Sequence, residues 1–90
     1  MIIKFLEFGK SLGTRQLGKK IRTDIINSIK KGEKVIFDFN GVSIISNSFA
    51  DECFGKILEE MDLQTLVNNT EFKDTNDNIR IIIKSVLRKY

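Results

Sequence analysis

Between Lys34 and Phe39 the chain reads Lys-Val-Ile-Phe-Asp-Phe. Apolar residues stand side by side there instead of alternating with polar ones. Successive side chains in a strand point to opposite faces, so this strand asks for cover on both and belongs at the centre of a sheet. Central strands of that kind are usually parallel to their neighbours, and parallel pairing needs crossover connections, usually helical. The flanking sequence supplies them. Ile2 to Phe8 is rich in β-branched and aromatic residues, stops at Gly9 and reads as a strand. Gly9 to Thr14 reads as a loop. Leu17, Ile21, Ile25, Ile26 and Ile29 then recur at helical spacing, with Thr14 placed to cap the start and Lys30-Lys31-Gly32 to close the end.

After Phe39, Asn40-Gly41 turns the chain, and Val42 to Ile45 continues as an extended or irregular apolar segment. Ala50, Cys53, Phe54, Ile57, Leu58 and Met61 make the clearest helical stripe, with Asp51, Glu52, Lys56, Glu59 and Glu60 on the opposite face. With Ser48 as N-cap, Asp51 falls at the third helical position, which is a Ser-x-x-Asp capping box. Leu63, Leu66 and Val67 lie in a short connection that Asn68-Asn69 breaks. Thr70 to Asp74 reads as a short strand with Phe72 inward. Thr75-Asn76 caps a last helix carrying Ile79, Ile82, Ile83, Val86, Leu87 and Tyr90. The order β-α-β-α-β-α predicts an α/β domain, residues 1–90, with a three- to four-stranded, mainly parallel sheet and helices packed on it. With so few strands one sheet face stays partly open, and that is where a partner is expected.

Ninety residues make one small domain, able to bury roughly 60–65% of the surface its unfolded chain exposes. The start, MIIKFLEFGK, lacks the features of a signal peptide, and no apolar run approaches the ~20 residues a membrane span needs. The single cysteine fits a reducing compartment, so the expectation is a cytoplasmic protein with no membrane partner. Histidine is absent, which excludes Ser-His-Asp triads, Cys-His dyads and imidazole metal sites. No Walker A sequence, G-x-G-x-x-G or EF-hand loop occurs. The expectation is a non-enzyme with no catalytic residues, no metal and no cofactor.

Several residues invite a closer reading. Asp38 sits inside an apolar strand, and a buried carboxylate needs donors; Arg15 or the backbone of residues 46–48 could supply them. Structural pairing is the reading for Asp38. Thr14 and Arg15, at a helix start after Gly13, could cap the helix or bind an anion. Arg15, Lys19 and Arg22 share a helix face with Lys20 nearby. Such a face is solvated, meets an acidic partner, or binds nucleic acid. A net charge of +3 makes nucleic acid the least favoured of the three. Ser48 is a helix cap or a regulated hydroxyl. Cys53 falls on the apolar stripe and reads as core. Asp51 and Glu52 read as exposed acids of a first helical turn, able to form a contact patch with Phe49.

The segment Val35-Ile36-Phe37-Asp38-Phe39-Asn40-Gly41-Val42 resembles the STAS domains of bacterial anti-sigma-factor antagonists, where a strand ending in Asp-Leu-x-Gly-Val leads to an Asp-Ser-Ser-Gly helix start. The chain is more closely similar to the bacterial STAS-like domain family of unknown function, in Phe8-Gly9, Thr14-Arg15, Asp38-Phe39, Gly41-Val42 and Ser48-Phe49-Ala50-Asp51-Glu52. The resemblance implies an interaction module that binds a kinase-like protein partner, such as an ATPase of the histidine-kinase type, and is released by phosphorylation of the serine matching Ser48. Ser46, Asn47 and Phe49 depart from the STAS pattern, standing where it has aspartate, serine and glycine. On this reading the partner-binding surface is Ser46, Asn47, Ser48, Phe49, Asp51 and Glu52, and an open sheet edge leaves room for a homodimer. Two alternatives stay open. One is a nucleic-acid module using the basic face of the first helix. The other is a phosphate or nucleotide site built from Thr14, Arg15, Asp38 and Ser48, which requires those four side chains to converge.

Overall fold

The computed structural model describes residues 1–90. Its centre is β3 (Val35–Asp38), flanked in parallel by β1 (Ile2–Lys4) and β5 (Thr70–Lys73). Register places Ile3, Phe37 and Phe72 in one row across the sheet. That row faces the core, with the rings of Phe37 and Phe72 4.8 Å apart. Cover is complete on this face only: Val35 and Phe37 are buried, whereas Ile36 and Asp38 are half-exposed. The uninterrupted apolar run thus overstated the burial of β3, because a three-stranded sheet has too few crossovers here to cover both faces.

The first strand is shorter than its composition suggests. After Lys4 the chain turns through a 3₁₀ segment, Phe5–Phe8, which swings Phe5 inward. There it is fully buried, stacked on Phe39 at 4.4 Å between ring centroids and in edge or tilted contact with Phe37, Phe49 and Phe54. The gain from burying that ring outweighs another residue or two of edge pairing.

The two segments read as loop and irregular chain pair with each other. β2 (Ser11–Leu12) and β4 (Ile44–Ile45) form a second, parallel ladder, Ser11 opposite Ile44 and Leu12 opposite Ile45. Each runs straight into a helix: β2 into α1 (Arg15–Lys30), β4 into α2 (Asn47–Cys53). Helix α1 buries Ile21, Ile25, Ile26 and Ile29, the stripe its spacing predicts. Helix α2 stops at Cys53 and continues only as a 3₁₀ turn, Gly55–Glu59, so the long helix expected to Met61 is broken. The break falls where a Cβ on Gly55 would stand 2.7 Å from the Tyr90 ring. Two further helices complete the fold, α3 (Leu63–Asn69), capped by Asp62, and α4 (Asp77–Leu87), capped by Asn76.

Candidate functional site

Because β2 and β4 are parallel and in register, the two helices that follow them start side by side. Thr14 caps α1, its hydroxyl accepting from the Leu17 amide at 3.2 Å. Ser46 caps α2, accepting from the Phe49 amide at 2.9 Å while donating to the Gly13 carbonyl at 2.9 Å. The Ser46 amide also donates to the Leu12 carbonyl. One serine therefore caps its own helix and ties it to the start of the other. The N-cap is Ser46 and not Ser48, so the expected capping box with Asp51 does not form. Ser46→Ala is expected to lower the free energy of unfolding by about 1 kcal/mol in a urea titration, the usual worth of such a cap.

This shift releases Ser48. It lies at the second position of α2, half-exposed, and its hydroxyl makes no hydrogen bond within the chain. Ser48, Asp51 and Glu52 stand three and four residues apart and share a helix face.

That face is turned towards α1, so Asp51 and Glu52 are not the exposed acids the sequence suggests. Both are about nine-tenths buried. Arg15 reaches them at 3.1 Å and 3.2 Å. Glu52 also meets Arg22 at 3.0 Å and Lys56 at 2.7 Å, and Arg22 bonds the Glu52 carbonyl as well. The Tyr90 hydroxyl donates to Asp51 at 2.6 Å. These donors fix the protonation states. Lys56 first, then Arg22 and Arg15, hold Glu52 down at about 2 against the desolvation that would raise it. The Tyr90 hydroxyl and then Arg15 lower Asp51, while Asp51 pushes Tyr90 up to about 12.

The helices can approach closely enough for this because α1 carries Gly18 at the contact. A Cβ there would stand 2.8 Å from the Phe49 carbonyl oxygen and 3.1 Å from the Cys53 amide nitrogen. Cys53 is fully buried, as its place on the stripe predicts, and burial pushes its thiol well above the ordinary value.

The other expected positions are placed as follows. Phe49 is fully buried beside Phe5 and Phe54, so it belongs to the core and not to a contact patch. Asp38 accepts from the Asn40 amide at 2.9 Å, which makes it a turn residue satisfied by its own loop. It stands on the open sheet face in register with Lys4 and Lys73, and neither Arg15 nor residues 46–48 serve it. Thr14, Arg15, Asp38 and Ser48 do not converge: Asp38 borders a shallow hollow with Lys4, Leu6, Glu7 and Asn40, and none of the other three lines any cavity. The basic face of α1 is not a free row either, since Arg15 and Arg22 are engaged by Asp51 and Glu52, leaving Lys19 and Lys20 to solvent. What remains accessible at the paired starts is Gly13, Thr14, Arg15 and Asn47, with Ser46 and Ser48 half-exposed.

Sequence reasoning missed Gly18, Arg22, Lys56 and Tyr90 as parts of this arrangement. Lys56 was the legible one, four residues after Glu52. No group of three or more His, Cys, Asp or Glu side chains is placed to hold a metal ion, and no helix is long and apolar enough to cross a membrane.

A parallel sheet with two helix starts brought together at strand ends defines a small α/β domain. Residues 17–80 match the STAS-like domain of unknown function (DUF4325), and the chain belongs to that family. No curated protein and no solved structure matches the chain.

Proposed function

We propose that this domain binds a protein partner through the paired helix starts, and that phosphorylation of Ser48 ends the binding. The observation that carries the reading is the division of labour between two serines. Ser46 does all the structural work, capping α2 and holding Gly13, while Ser48, one turn before Asp51 and Glu52, has a hydroxyl with no task inside the chain. The contact surface is Asn47 and Ser48 of α2 with Ser46, Thr14 and Arg15 beside them; Phe49, Asp51 and Glu52 act from beneath, by holding α2 and Arg15 in place.

A phosphoryl group on Ser48 adds roughly −1.5 to −2 charges and three acceptor oxygens at the centre of that surface. The acids on the same face are already paired with Arg15, Arg22 and Lys56, so the fold tolerates the added charge. A partner surface shaped for a neutral hydroxyl does not. The partner class that fits family resemblance is an ATPase of the histidine-kinase type, which would make the domain a partner-switching component in a cytoplasmic signalling system.

The test is recovery of partners from the native host with wild type, Ser48→Ala and Ser48→Asp, followed by mass spectrometry. The expected result is one protein held by wild type and Ser48→Ala and reduced by at least about tenfold with Ser48→Asp, the scale of a buried like-charge or unpaired-charge penalty. Phosphate on Ser48 of the purified chain would accompany it. Equal recovery with all three variants and no phosphate would reduce Ser48 to a bystander.

A further inference from the structure

Alongside α4, on a surface that shares no lining residue with the paired helix starts, runs an apolar groove. Its first part, about 320 Å³, lies between Phe72 of edge strand β5 and Ile83 and Leu87 of α4. It continues past Leu87 to Leu63 at the start of α3, through a second hollow of about 330 Å³. Leu87 and Lys84 line both parts, so the two hollows adjoin along α4. Phe72 and Leu63 are 36% and 49% exposed, so the apolar floor is open to solvent.

The wall of the trough is cationic and regular. Arg80, Lys84 and Arg88 line it at successive four-residue steps, so they form one row along the helix, about 6 Å of rise apart. Arg80 is occupied by Asp77 and Thr75. Lys84 and Arg88 have no carboxylate partner. No acidic residue lines either part of the trough. β5 pairs only with β3, so its other edge is unpaired next to this groove.

We infer that this trough is a second docking site, for an acidic protein segment whose apolar side chains seat on Phe72, Leu87 and Leu63 while its carboxylates meet Lys84 and Arg88. Charge complementarity selects the occupant. An apolar trough alone would accept many segments, but one walled by a cation row without a single acid repels basic segments and a second copy of this chain, whose net charge is also positive.

The test is a random peptide library displayed on phage, selected on the whole domain and counter-selected on the double variant Lys84→Glu, Arg88→Glu. Both side chains are exposed and unpaired, so the variant keeps the fold, which circular dichroism and thermal melting check. The expected result is enrichment of peptides that interleave Asp or Glu with large apolar residues. A synthetic copy of one of them should lose at least about tenfold in affinity on the double variant and weaken steeply with salt. Its binding should be unchanged by Ser48→Asp, which separates this site from the one proposed above. Recovered peptides without acidic enrichment, or equally bound by the double variant, would overturn the inference. So would vesicles rich in phosphatidylserine, or an oligonucleotide, binding this row when the acidic peptides do not.

Discussion

Replacing Gly18 by valine is expected to cost about 3 kcal/mol of unfolding free energy, towards the upper end of the range for overpacked contacts. The domain has on the order of 5–15 kcal/mol to lose, so a urea titration should show the midpoint falling sharply, with melting lowered by more than about 10 °C. The cause is local and has no easy relief. Even the first carbon of a side chain meets the Phe49 carbonyl at 2.8 Å, and the groups in the way are backbone of α2, not the tip of a flexible side chain. Helix propensity pulls the other way, since glycine is a poor helix former, but that gain is only a few tenths of a kcal/mol for valine. Sterics win. Because the contact sets how α1 and α2 lie against each other, the variant should also weaken partner binding before it unfolds the chain.

The second large effect is electrostatic. Glu52→Gln removes the charge that Arg15, Arg22 and Lys56 surround, and is expected to cost about 2 kcal/mol at neutral pH, as charge-assisted hydrogen bonds to partly buried groups do. The pH dependence identifies the source. Glu52 titrates at about 2 in the folded chain against an ordinary 4.5. A folded value below the unfolded one means the unfolded chain takes up the proton first. The contribution is therefore complete above about pH 4.5 and is lost as pH falls towards about 2. Asp51, also lowered, adds to the same limb. Denaturation at several pH values should show wild type losing stability through this window more steeply than Glu52→Gln, the two curves converging near its acid end. Parallel curves would mean that Glu52 is not the anchor.

Much of the fold is legible in the sequence because periodicity reports burial. The stripe from Leu17 to Ile29 and the stripe from Ile79 to Leu87 both lie where spacing puts them, and Thr14 and Asn76 cap as their positions suggest. What is not legible depends on contacts between distant segments. The β2–β4 ladder is two residues long on each side, too short to carry a period, and exists only because each segment finds the other. The choice of Ser46 over Ser48 as cap follows from that ladder, which brings Gly13 within reach of one hydroxyl and not the other. Asp51 and Glu52 read as solvent acids because the cations that cover them from α1, Arg15 and Arg22, lie thirty and more residues away. Tyr90 continues the spacing of the last helical stripe but leaves the helix, which ends at Leu87, to reach Asp51. Around Ser48, Phe49, Asp51 and Glu52 turn inward, while the Ser48 hydroxyl makes no hydrogen bond within the chain.

The most direct measurement of the central claim is site-specific crosslinking in the native host. A photoreactive amino acid would replace Asn47, at the exposed start of α2, or as a control Glu71, on the sheet. The expected result is an adduct to one partner from position 47 that disappears when Ser48→Asp is added, with none of that partner captured from position 71. The same partner captured equally from both positions, or an adduct at 47 indifferent to Ser48→Asp, would contradict it.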